Sequence, residues 1–542
     1  MFGLMMDQPL LISSVLEFAA KYHGESEIVS RTVEGPIHRY TYADAQSRSK
    51  QLAKALQALG VSEGDRVATL AWNGYRHYEL YYGVSGMGAV CHMINPRLFP
   101  GQISYIVNHA EDSVVFTDLT FVELLEGMVS ELGTVKAFVV MTDEANMPET
   151  SLPNVHCYET LLAAQDDDYT WPVFDENTAS SMCYSSGTTG NPKGVLYSHR
   201  STVLHAMASL APDMLNISAR DSFMPVVPMF HVNAWGVPYS VTMAGAKLVM
   251  PGMEMDGESL HELIDGERVT LSAGVPTVWL GLLDYLEKSG KSVDSFKYCV
   301  IGGSATPRAM SVAMEENHGV HVLHAWGMTE MSPLGTVNWP KHGMEDETEE
   351  ARYDRQVKQG RPCYGVDMKI VNDDNETLPE DGEAFGELKV RGFWVCSQYY
   401  KGEGDSHDDD GWFATGDVAT IDAGGYMHIT DRSKDVIKSG GEWISSIELE
   451  NIAVGHPGVF EAAVIGIGHP KWDERPLLVV VRNEGSELTA EDLISYYDGK
   501  VAKWWIPDDV AFVDELPHTA TGKLLKMDLR DRFEDYTLPT AE

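Results

Sequence analysis

The sequence predicts a layered α/β fold: a large N-terminal domain of α/β sheets with a β-rich subdomain, followed by a small α+β C-terminal domain. The chain has 542 residues, more than the roughly 250–300 at which a single hydrophobic core stops growing. Short apolar runs alternate with runs of helical period, an order typical of largely parallel sheets covered by helices. Because 44% of the residues are hydrophobic, the composition favours a folded chain over disorder.

The alternating region contains the elements expected of the first domain. Short runs rich in apolar and β-branched residues predict strands at Arg66–Trp72, Ser113–Thr117, Ala137–Met141, Lys247–Met250 and Tyr298–Ile301. Apolar positions at helical spacing predict helices at Tyr42–Leu59, around His261–Asp265 and at Pro307–Asn317.

The pattern changes twice toward the C-terminus. Residues 365–428 are rich in strand and turn signals, including two Asp/Asn-rich turns at 372–375 and 408–411, which predicts the β-rich subdomain. The segment after Lys434 predicts a small α+β domain of its own. Its elements are expected at Ser446–Ala453, Glu461–Ile467, Leu477–Arg482 and Ala490–Ala502.

One uncharged stretch, Ser222–Ala246, is long enough to suggest a membrane span. Prolines at 225, 228 and 238 interrupt it, so a buried strand and loop segment is the better interpretation. The first twenty residues lack a basic start and contain two acidic side chains, unlike a signal peptide. We therefore expect a cytoplasmic protein without stable membrane insertion.

The charge and cysteine content narrow the range of functions. Lys and Arg number 40 against 81 Asp and Glu, a net charge of −41, so we expect no nucleic-acid partner. No two of the six cysteines have C-x-x-C spacing, which favours buried thiols over a zinc or redox site. The acidic runs at 166–168, 345–350 and 405–410 lack the calcium-loop pattern and are interpreted as solvated loops.

The strongest motif runs from Tyr184 to Val195 and follows a strand-like apolar run. Its glycines would let backbone N–H groups approach phosphate oxygens, and its hydroxyls would add further donors. Its candidate phosphate-binding residues are Ser185, Ser186, Gly187, Thr188, Thr189, Gly190 and Lys193. A flexible Gly/Ser/Thr turn is the alternative, but the length of the pattern and the embedded lysine disfavour it.

This loop resembles the phosphate loop of the adenylate-forming superfamily, which contains acyl-CoA synthetases, adenylation domains and luciferases. Further motifs resemble that superfamily in the same order along the chain. They are Pro228–His231, Gly302–Pro307, Trp326–Glu330, Thr415–Asp417, Asp431–Lys434, Lys438–Ile444 and Thr519–Lys523. Each is only moderately specific alone, whereas the ordered set is highly specific.

The resemblance implies a site for ATP and Mg²⁺. Trp326 would stack on adenine, Asp417 would accept from the ribose hydroxyls, and Glu330 with Ser185 would hold Mg²⁺. The residues implied to line the nucleotide are Gly303, Ser304, Ala305, His324, Ala325, Trp326, Gly327, Met328, Thr329, Asp417 and Arg432.

The resemblance also implies a mobile C-terminal domain. The expected division is an adenylation domain over 1–431, a hinge over 432–437 that includes Lys434, and a mobile domain over 438–542. Lys523 would act in adenylation. Coenzyme A would pass along a loop that contains Lys438, Gly440, Gly441 and Trp443.

The implied reaction joins a small carboxylic acid to coenzyme A through an acyl-adenylate. The resemblance implies a catalytic role for His231, which belongs to the motif beside the acyl pocket. The expected lining of that pocket is Trp235, Gly302 and Pro333. The chain looks most like the fatty acyl-CoA synthetase branch, which includes ligases for 3-methylmercaptopropionate, and that short thioether acid is the expected substrate.

Three other interpretations stay open: a medium- or long-chain fatty acyl-CoA synthetase, an aryl- or amino-acid-activating enzyme with another acceptor, and a non-catalytic nucleotide-binding protein. The branch also implies a homodimer.

Overall fold

The computed structural model describes residues 1, 3–185, 191–344, 346–404, 407–440, 442–483, 485–518 and 524–541. The chain divides into two compact units. The first comprises residues 1–367 and 391–413, and the second comprises 368–390 and 414–542. The second unit thus begins before residue 431, after which the sequence predicts the domain boundary, and the predicted division at 431 and 437 stays a prediction.

A seven-stranded sheet in the first unit ends in the hairpin that holds the phosphate-loop motif. Its strands, in spatial order, are Val155–Cys157, Ala137–Val140, Asp112–Thr117, Arg66–Leu70, Val90–Met93, Ala179–Tyr184 and Gly194–Ser198. Neighbours pair in parallel except for the last two strands, which are antiparallel. This confirms the largely parallel sheet, whose buried side chains include Leu70, Val115 and Phe138.

A nine-stranded sheet forms the other layer of the first unit. Its spatial order is Arg361–Pro362, Leu334–Val337, His321–Gly327, Tyr298–Ile301, Leu271–Gly274, Ser222–Pro225, Lys247–Met250, Glu27–Arg31 and Ile37–Thr41. The six strands from His321–Gly327 to Glu27–Arg31 pair in parallel. Since parallel strands end at one edge, the loops after Ile301 and Gly327 leave the sheet side by side.

Helices accompany both sheets of the first unit. They span Ile12–Tyr22, Tyr42–Ala58, Tyr75–Gly86, Pro100–Ala110, Val122–Met128, Tyr158–Ala163, His199–Ser209, Val232–Trp235, Val237–Ala244, Gly257–Gly266, Pro276–Ser289, Arg308–His318 and Glu349–Gln356. The five predicted strands and three predicted helices are confirmed with ends that differ by a few residues. Local chemistry explains such ends: the hydroxyl of Thr41 accepts from the backbone of Asp44 in a capping box.

The uncharged stretch Ser222–Ala246 is buried, as expected, but it is more helical than the sequence indicates. The strand Ser222–Pro225 is followed by Val232–Trp235 and Val237–Ala244. The interpretation as strand and loop is therefore wrong for its second half, because Pro238 stands in the first helical turn, where no hydrogen bond is lost. No helix among the described residues is long and apolar enough to cross a membrane.

The second unit contains most of the predicted β-rich region and the predicted α+β segment. A four-stranded sheet has the order Val366–Val371, Phe385–Gly392, Phe413–Ile421 and Met427–Arg432. A second sheet has the order Glu442–Ile444, Ile437–Ser439, Asp473–Arg482 and Val459–His469, with Asp509–Phe512 also paired to Asp473–Arg482. The helices Ser446–Val454, Ala490–Tyr496 and Lys526–Arg532 accompany it.

Candidate active site

The two ends of the phosphate-loop motif are fastened to each other at the tip of a hairpin. The backbone N–H of Ser185 donates to the Lys193 carbonyl at 2.9 Å, and the Lys193 N–H donates to the Ser185 hydroxyl oxygen at 3.1 Å. The predicted Ser186, Gly187, Thr188, Thr189 and Gly190 lie outside the described residues. The hairpin therefore fixes the base of the loop and the starting point of the Lys193 side chain.

Lys193 and Glu330 meet the same aromatic side chain. The Lys193 ammonium lies 4.9 Å from the centroid of the Tyr399 ring. The Tyr399 hydroxyl donates to Oε1 of Glu330 at 2.7 Å, and Glu330 is only 6% exposed. The structure thus brings the predicted phosphate-loop cation and the predicted metal-binding carboxylate to one residue that sequence reasoning missed.

The loop after the strand Tyr298–Ile301 lies against the adjoining strand. Gly302 is buried, and a Cβ there would lie 2.9 Å from the Ala325 carbonyl oxygen and 3.0 Å from the Trp235 ring. The next three residues, Gly303, Ser304 and Ala305, are exposed. This arrangement brings together the predicted pocket residues Gly302 and Trp235 and leaves an exposed backbone segment beside them.

The segment after the strand His321–Gly327 turns back tightly on itself. A Cβ on Gly327 would lie 2.2 Å from the Pro333 carbonyl oxygen, and the Met328 N–H donates to that oxygen at 3.2 Å. The carbonyl of Thr329 accepts from the Tyr197 hydroxyl at 2.7 Å. The backbones of Gly327 and Pro333 therefore approach each other so closely that position 327 has no room for a side chain.

The aromatic and imidazole groups of this strand are packed into the protein. Trp326 is 8% exposed and covers Gly335, where a Cβ would meet its ring at 2.6 Å. His324 is buried, and its Nδ1 lies 3.0 Å from the Val357 carbonyl oxygen. These contacts give both rings a defined orientation.

Trp235 lies in a left-handed turn that begins next to His231 and ends at Gly236. Val232, Asn233, Ala234 and Trp235 all have positive φ values, from 47° to 56°, a conformation that costs energy in residues with a Cβ. His231 is partly buried, and its backbone N–H donates to Pro228 at 3.1 Å. Strain of this kind accumulates at functional sites, which fits the predicted place of the turn beside a pocket.

In the second unit, Asp417 and Arg432 form an ion pair across neighbouring strands. The Arg432 Nε lies 2.9 Å from Oδ1 of Asp417, and the two residues are register partners. Asp417 is 2% exposed, whereas Arg432 is exposed. The pair places a buried carboxylate beside a solvent-accessible guanidinium, as a ribose site with a neighbouring cation requires.

The predicted hinge and coenzyme A loop follow along the chain. Lys434 is an exposed residue, but partial desolvation of its ammonium lowers the pKa of that group. The Lys438 ammonium lies 4.9 Å from the centroid of the Trp443 ring. Gly440 has φ +62°, and a Cβ there would meet Trp472 at 2.8 Å. The predicted Gly441 and Lys523 lie outside the described residues.

The second unit also contains a buried charged cluster that the sequence does not predict. The Lys526 ammonium contacts Oε1 of Glu450 at 2.6 Å and donates to the Ser446 hydroxyl at 2.6 Å. Ser446 in turn donates to Asp431 from its hydroxyl at 3.0 Å and from its backbone N–H at 2.5 Å. Burial raises the pKa of both carboxyls, and Lys526 opposes that shift. No local sequence pattern marks a lysine as buried.

The residues predicted for Mg²⁺ have suitable chemistry. Glu330 supplies a buried carboxylate and Ser185 a hydroxyl, and Mg²⁺ prefers oxygen ligands, with one or two carboxylates completed by phosphate oxygens and water. Among the described residues, no group of three His, Cys, Asp or Glu side chains could hold a metal ion by itself.

Comparisons with known proteins give a consistent result. A family model described as "AMP-binding enzyme" matches residues 16–400, and "AMP-binding enzyme C-terminal domain" matches 448–523. The chain is 54% identical to a 3-methylmercaptopropionyl-CoA ligase of Ruegeria lacuscaerulensis, covering 99% of each. It is 52% identical to a medium-chain-fatty-acid–CoA ligase of Ectopseudomonas oleovorans, covering 100% of this chain and 99% of that one.

A solved structure also resembles the fold. It is the anthranilate CoA ligase AuaEII in complex with anthranoyl-AMP, with a TM-score of 0.84 and 25% identity. The match covers 97% of this chain and 98% of the other.

Proposed function

The chain belongs to the AMP-binding enzyme family, and on that premise we propose that it is an AMP-forming acyl-CoA synthetase for 3-methylmercaptopropionate or a similar short acid. The observation on which the substrate rests is the 54% identity, over 99% of both chains, to a ligase named for that acid. ATP, Mg²⁺ and coenzyme A are its cofactors and co-substrates.

The reaction has two steps. The carboxylate of the acid attacks the α-phosphate of ATP, which forms acyl-AMP and releases pyrophosphate. The thiol of coenzyme A then attacks the acyl carbon and releases AMP. Because the first step brings two anions together, positioned cations are required to stabilise it.

The ordered motifs imply which residues would stabilise this step and bind the nucleotide. Lys193 extends from the base of the phosphate loop, and Glu330 and Ser185 would hold Mg²⁺, which when bound neutralises phosphate charge. Asp417 would accept from the ribose hydroxyls, with Arg432 as the neighbouring cation. Lys523 would align the carboxylate with the α-phosphate. These are the roles that the ordered motifs imply for this chain.

Two residues of the predicted acyl pocket lie in close contact. Trp235 closes against Gly302, where even one added methyl group would contact its ring at 3.0 Å. His231 begins the same turn and would stand beside the acyl group.

The decisive experiment is pyrophosphate release with propionate, 3-methylmercaptopropionate, hexanoate, decanoate and palmitate. We expect the highest kcat/KM with 3-methylmercaptopropionate and a steep fall toward palmitate. A preference for hexanoate or decanoate would favour the medium-chain alternative, which the 52% identity to a medium-chain ligase supports. Absence of pyrophosphate release with every acid would favour a non-catalytic nucleotide-binding protein.

Lys523 is tested by separating the two half-reactions. We expect Lys523→Ala to lower acyl-AMP formation by about 100- to 1,000-fold, the usual cost of removing one positioned electrostatic group. Thioester formation from preformed acyl-AMP should be retained, since the second step would proceed after rotation about Lys434. Equal losses in both half-reactions would contradict the assignment of Lys523 to adenylation.

The proposal extends to assembly and location. We expect a homodimer in the cytoplasm, as the fatty acyl-CoA synthetase branch implies. Light scattering of the purified chain would measure the assembly, and a mass of one chain would contradict it.

A further inference from the structure

Tyr399 lies between two residues that the proposed reaction uses, and it lies far from both in the sequence. Its side chain is 7% exposed. Its hydroxyl donates to Glu330 at 2.7 Å, and its ring face meets the Lys193 ammonium at 4.9 Å from the centroid. A single side chain therefore contacts the carboxylate through a hydrogen bond and the cation through a π face.

The backbone places this phenol firmly. The Cys396 N–H donates to the Glu330 carbonyl at 2.7 Å, and the Ser332 hydroxyl donates to the Trp394 carbonyl at 3.1 Å. The Trp394 indole N–H also donates to the Leu334 carbonyl at 3.0 Å. Three hydrogen bonds thus attach the segment that precedes Tyr399 to the segment that contains Glu330.

The Lys193 ammonium is held on a second side. Gly404 has φ +80°, and a Cβ there would lie 2.4 Å from the Lys193 Nζ. The glycine therefore leaves the space that the ammonium occupies beside the Tyr399 ring. A cation held over an aromatic face is stabilised by the ring quadrupole and keeps its donors for other acceptors.

We propose that Tyr399 is a positioning residue for magnesium-bound ATP: its hydroxyl orients the Glu330 carboxylate, and its ring holds Lys193 toward the phosphates. The inference rests on the proposed roles of Glu330 and Lys193. Groups that hydrogen-bond to a metal ligand fix its orientation, and their removal typically weakens metal affinity about 10- to 100-fold. Tyr399 couples that effect to the phosphate loop.

The test measures ATP binding by calorimetry, without any acid, once with excess Mg²⁺ and once with EDTA. Tyr399→Phe keeps the ring and removes the hydroxyl, so affinity with Mg²⁺ should fall about 10- to 100-fold while affinity in EDTA is unchanged. Tyr399→Leu removes the ring as well and should also weaken binding in EDTA, by about 2- to 30-fold. Tyr364→Phe is the control, because Tyr364 is 90% exposed.

A double-mutant cycle decides whether the hydroxyl acts through Glu330. Glu330→Gln should weaken Mg²⁺-dependent binding, and adding Tyr399→Phe should cause little further loss. Additive losses, an unchanged Tyr399→Phe, or equal weakening with Mg²⁺ and EDTA would overturn the inference. Thermal denaturation of each variant establishes that it is folded, and the conservative Tyr399→Phe decides the outcome if Tyr399→Leu is not.

Failure of the inference and failure of the proposed function give different results. If Glu330→Gln leaves the Mg²⁺ dependence unchanged, the inference fails together with the Glu330 assignment, while pyrophosphate release would still establish the ligase. If the wild-type chain binds no ATP, both fail. Normal pyrophosphate release with an unchanged Tyr399→Phe would contradict only the inference.

Discussion

Two clusters of charged residues, one in each compact unit, are held in different ways. In the first unit, Glu330 and Lys193 both contact Tyr399, one through its hydroxyl and one through its ring. In the second unit, Lys526 contacts Glu450 directly at 2.6 Å, and both side chains are largely buried. The first arrangement orients charges, whereas the second neutralises them inside the protein.

Under the proposed function, this difference separates residues for ligand binding from residues for stability. A carboxylate and an ammonium that share a phenol retain electrostatic capacity for a phosphate or a metal ion. A buried ion pair has already used its charge to compensate the desolvation of its partner. Loss of a charge should therefore impair binding at the Glu330–Tyr399–Lys193 group and folding at the Lys526–Glu450 pair.

The largest expected effect is on the stability of the second unit. Lys526→Met would leave Glu450 buried without its cation, and breaking a buried pair typically costs about 3–5 kcal/mol. We expect hydrogen exchange of peptides from the second unit to show a loss of this size. ATP binding is the companion measurement, and it should be affected far less than by Glu330→Gln.

The matched control for that variant is Lys503→Met, since Lys503 is exposed. Adding Glu450→Gln to Lys526→Met should recover part of the loss, because the neutral amide is less costly to bury. Equal effects of Lys526→Met and Lys503→Met would remove the proposed contrast between the two clusters.

A smaller effect is expected from the backbone of the first unit. A Cβ on Gly327 would lie 2.2 Å from the Pro333 carbonyl oxygen and 2.7 Å from its carbon, so Gly327→Ala must displace backbone. Overpacking typically costs about 1–3 kcal/mol, and here it should also weaken ATP binding. Urea denaturation and calorimetry measure the two effects.

Gly281→Ala is the control for this steric argument. Gly281 lies in the helix Pro276–Ser289 with nothing within 4 Å of the added Cβ, so alanine should raise stability by up to about 1 kcal/mol. Loss of stability in Gly281→Ala, or none in Gly327→Ala, would contradict the contact geometry.

The smallest effect concerns pH and has opposite signs at His205 in the first unit and at Glu450 and Asp431 in the second. Burial lowers the pKa of His205 to about 3, so between pH 6.5 and 3 the unfolded state binds the proton that the folded state lacks. Its contribution is present above pH 6.5 and is lost in acid, by about 1.4 kcal/mol per pH unit. Burial raises the pKa of Glu450 and Asp431, so mild acid relatively favours the folded second unit.

Hydrogen exchange of peptides from each unit at pH 6.5 and 5.5, corrected for intrinsic rates, measures this contrast. His205→Gln should reduce the acid loss of the first unit by about 1 kcal/mol over that interval, because the unfolded imidazole is already half protonated at pH 6.5, and leave the second unit unchanged. The same pH slope in His205→Gln and wild type would show that His205 is not the group responsible.

Local patterns are sufficient to predict much of the fold. The strand at Tyr298–Ile301 matches its prediction in full, because a short β-branched run between turn signals has few other stable conformations. The sequence does not predict the helices within Val232–Ala244. A continuous apolar run without a helical or alternating pattern cannot distinguish a buried helix from a buried strand. Four of the five consecutive residues with positive φ there, Val232 to Trp235, are not glycines, and only Gly236 at the end of the run is the residue type that favours this conformation.

The candidate site also contains residues that local patterns predict and residues that they do not. Lys193 and Asp417 are identifiable because glycines, hydroxyls and charges stand in fixed short patterns around them. Tyr399, Lys526 and Glu450 stand in no such pattern. Tyr399 donates to Glu330, which lies 69 residues away in the sequence, and Lys526 donates to Ser446, which lies 80 residues away. Contacts over such separations arise only when the chain has folded.

The sequence by itself determined the fold class, the order of the motifs and the family, because each depends on residues within a few positions of one another. Only the tertiary structure decided which carboxylate meets which cation. It joins Glu330 to Lys193 through Tyr399 and buries Lys526 against Glu450. Burial and distance determine how strongly two charges interact, and neither can be predicted from the residues that are neighbours in the sequence.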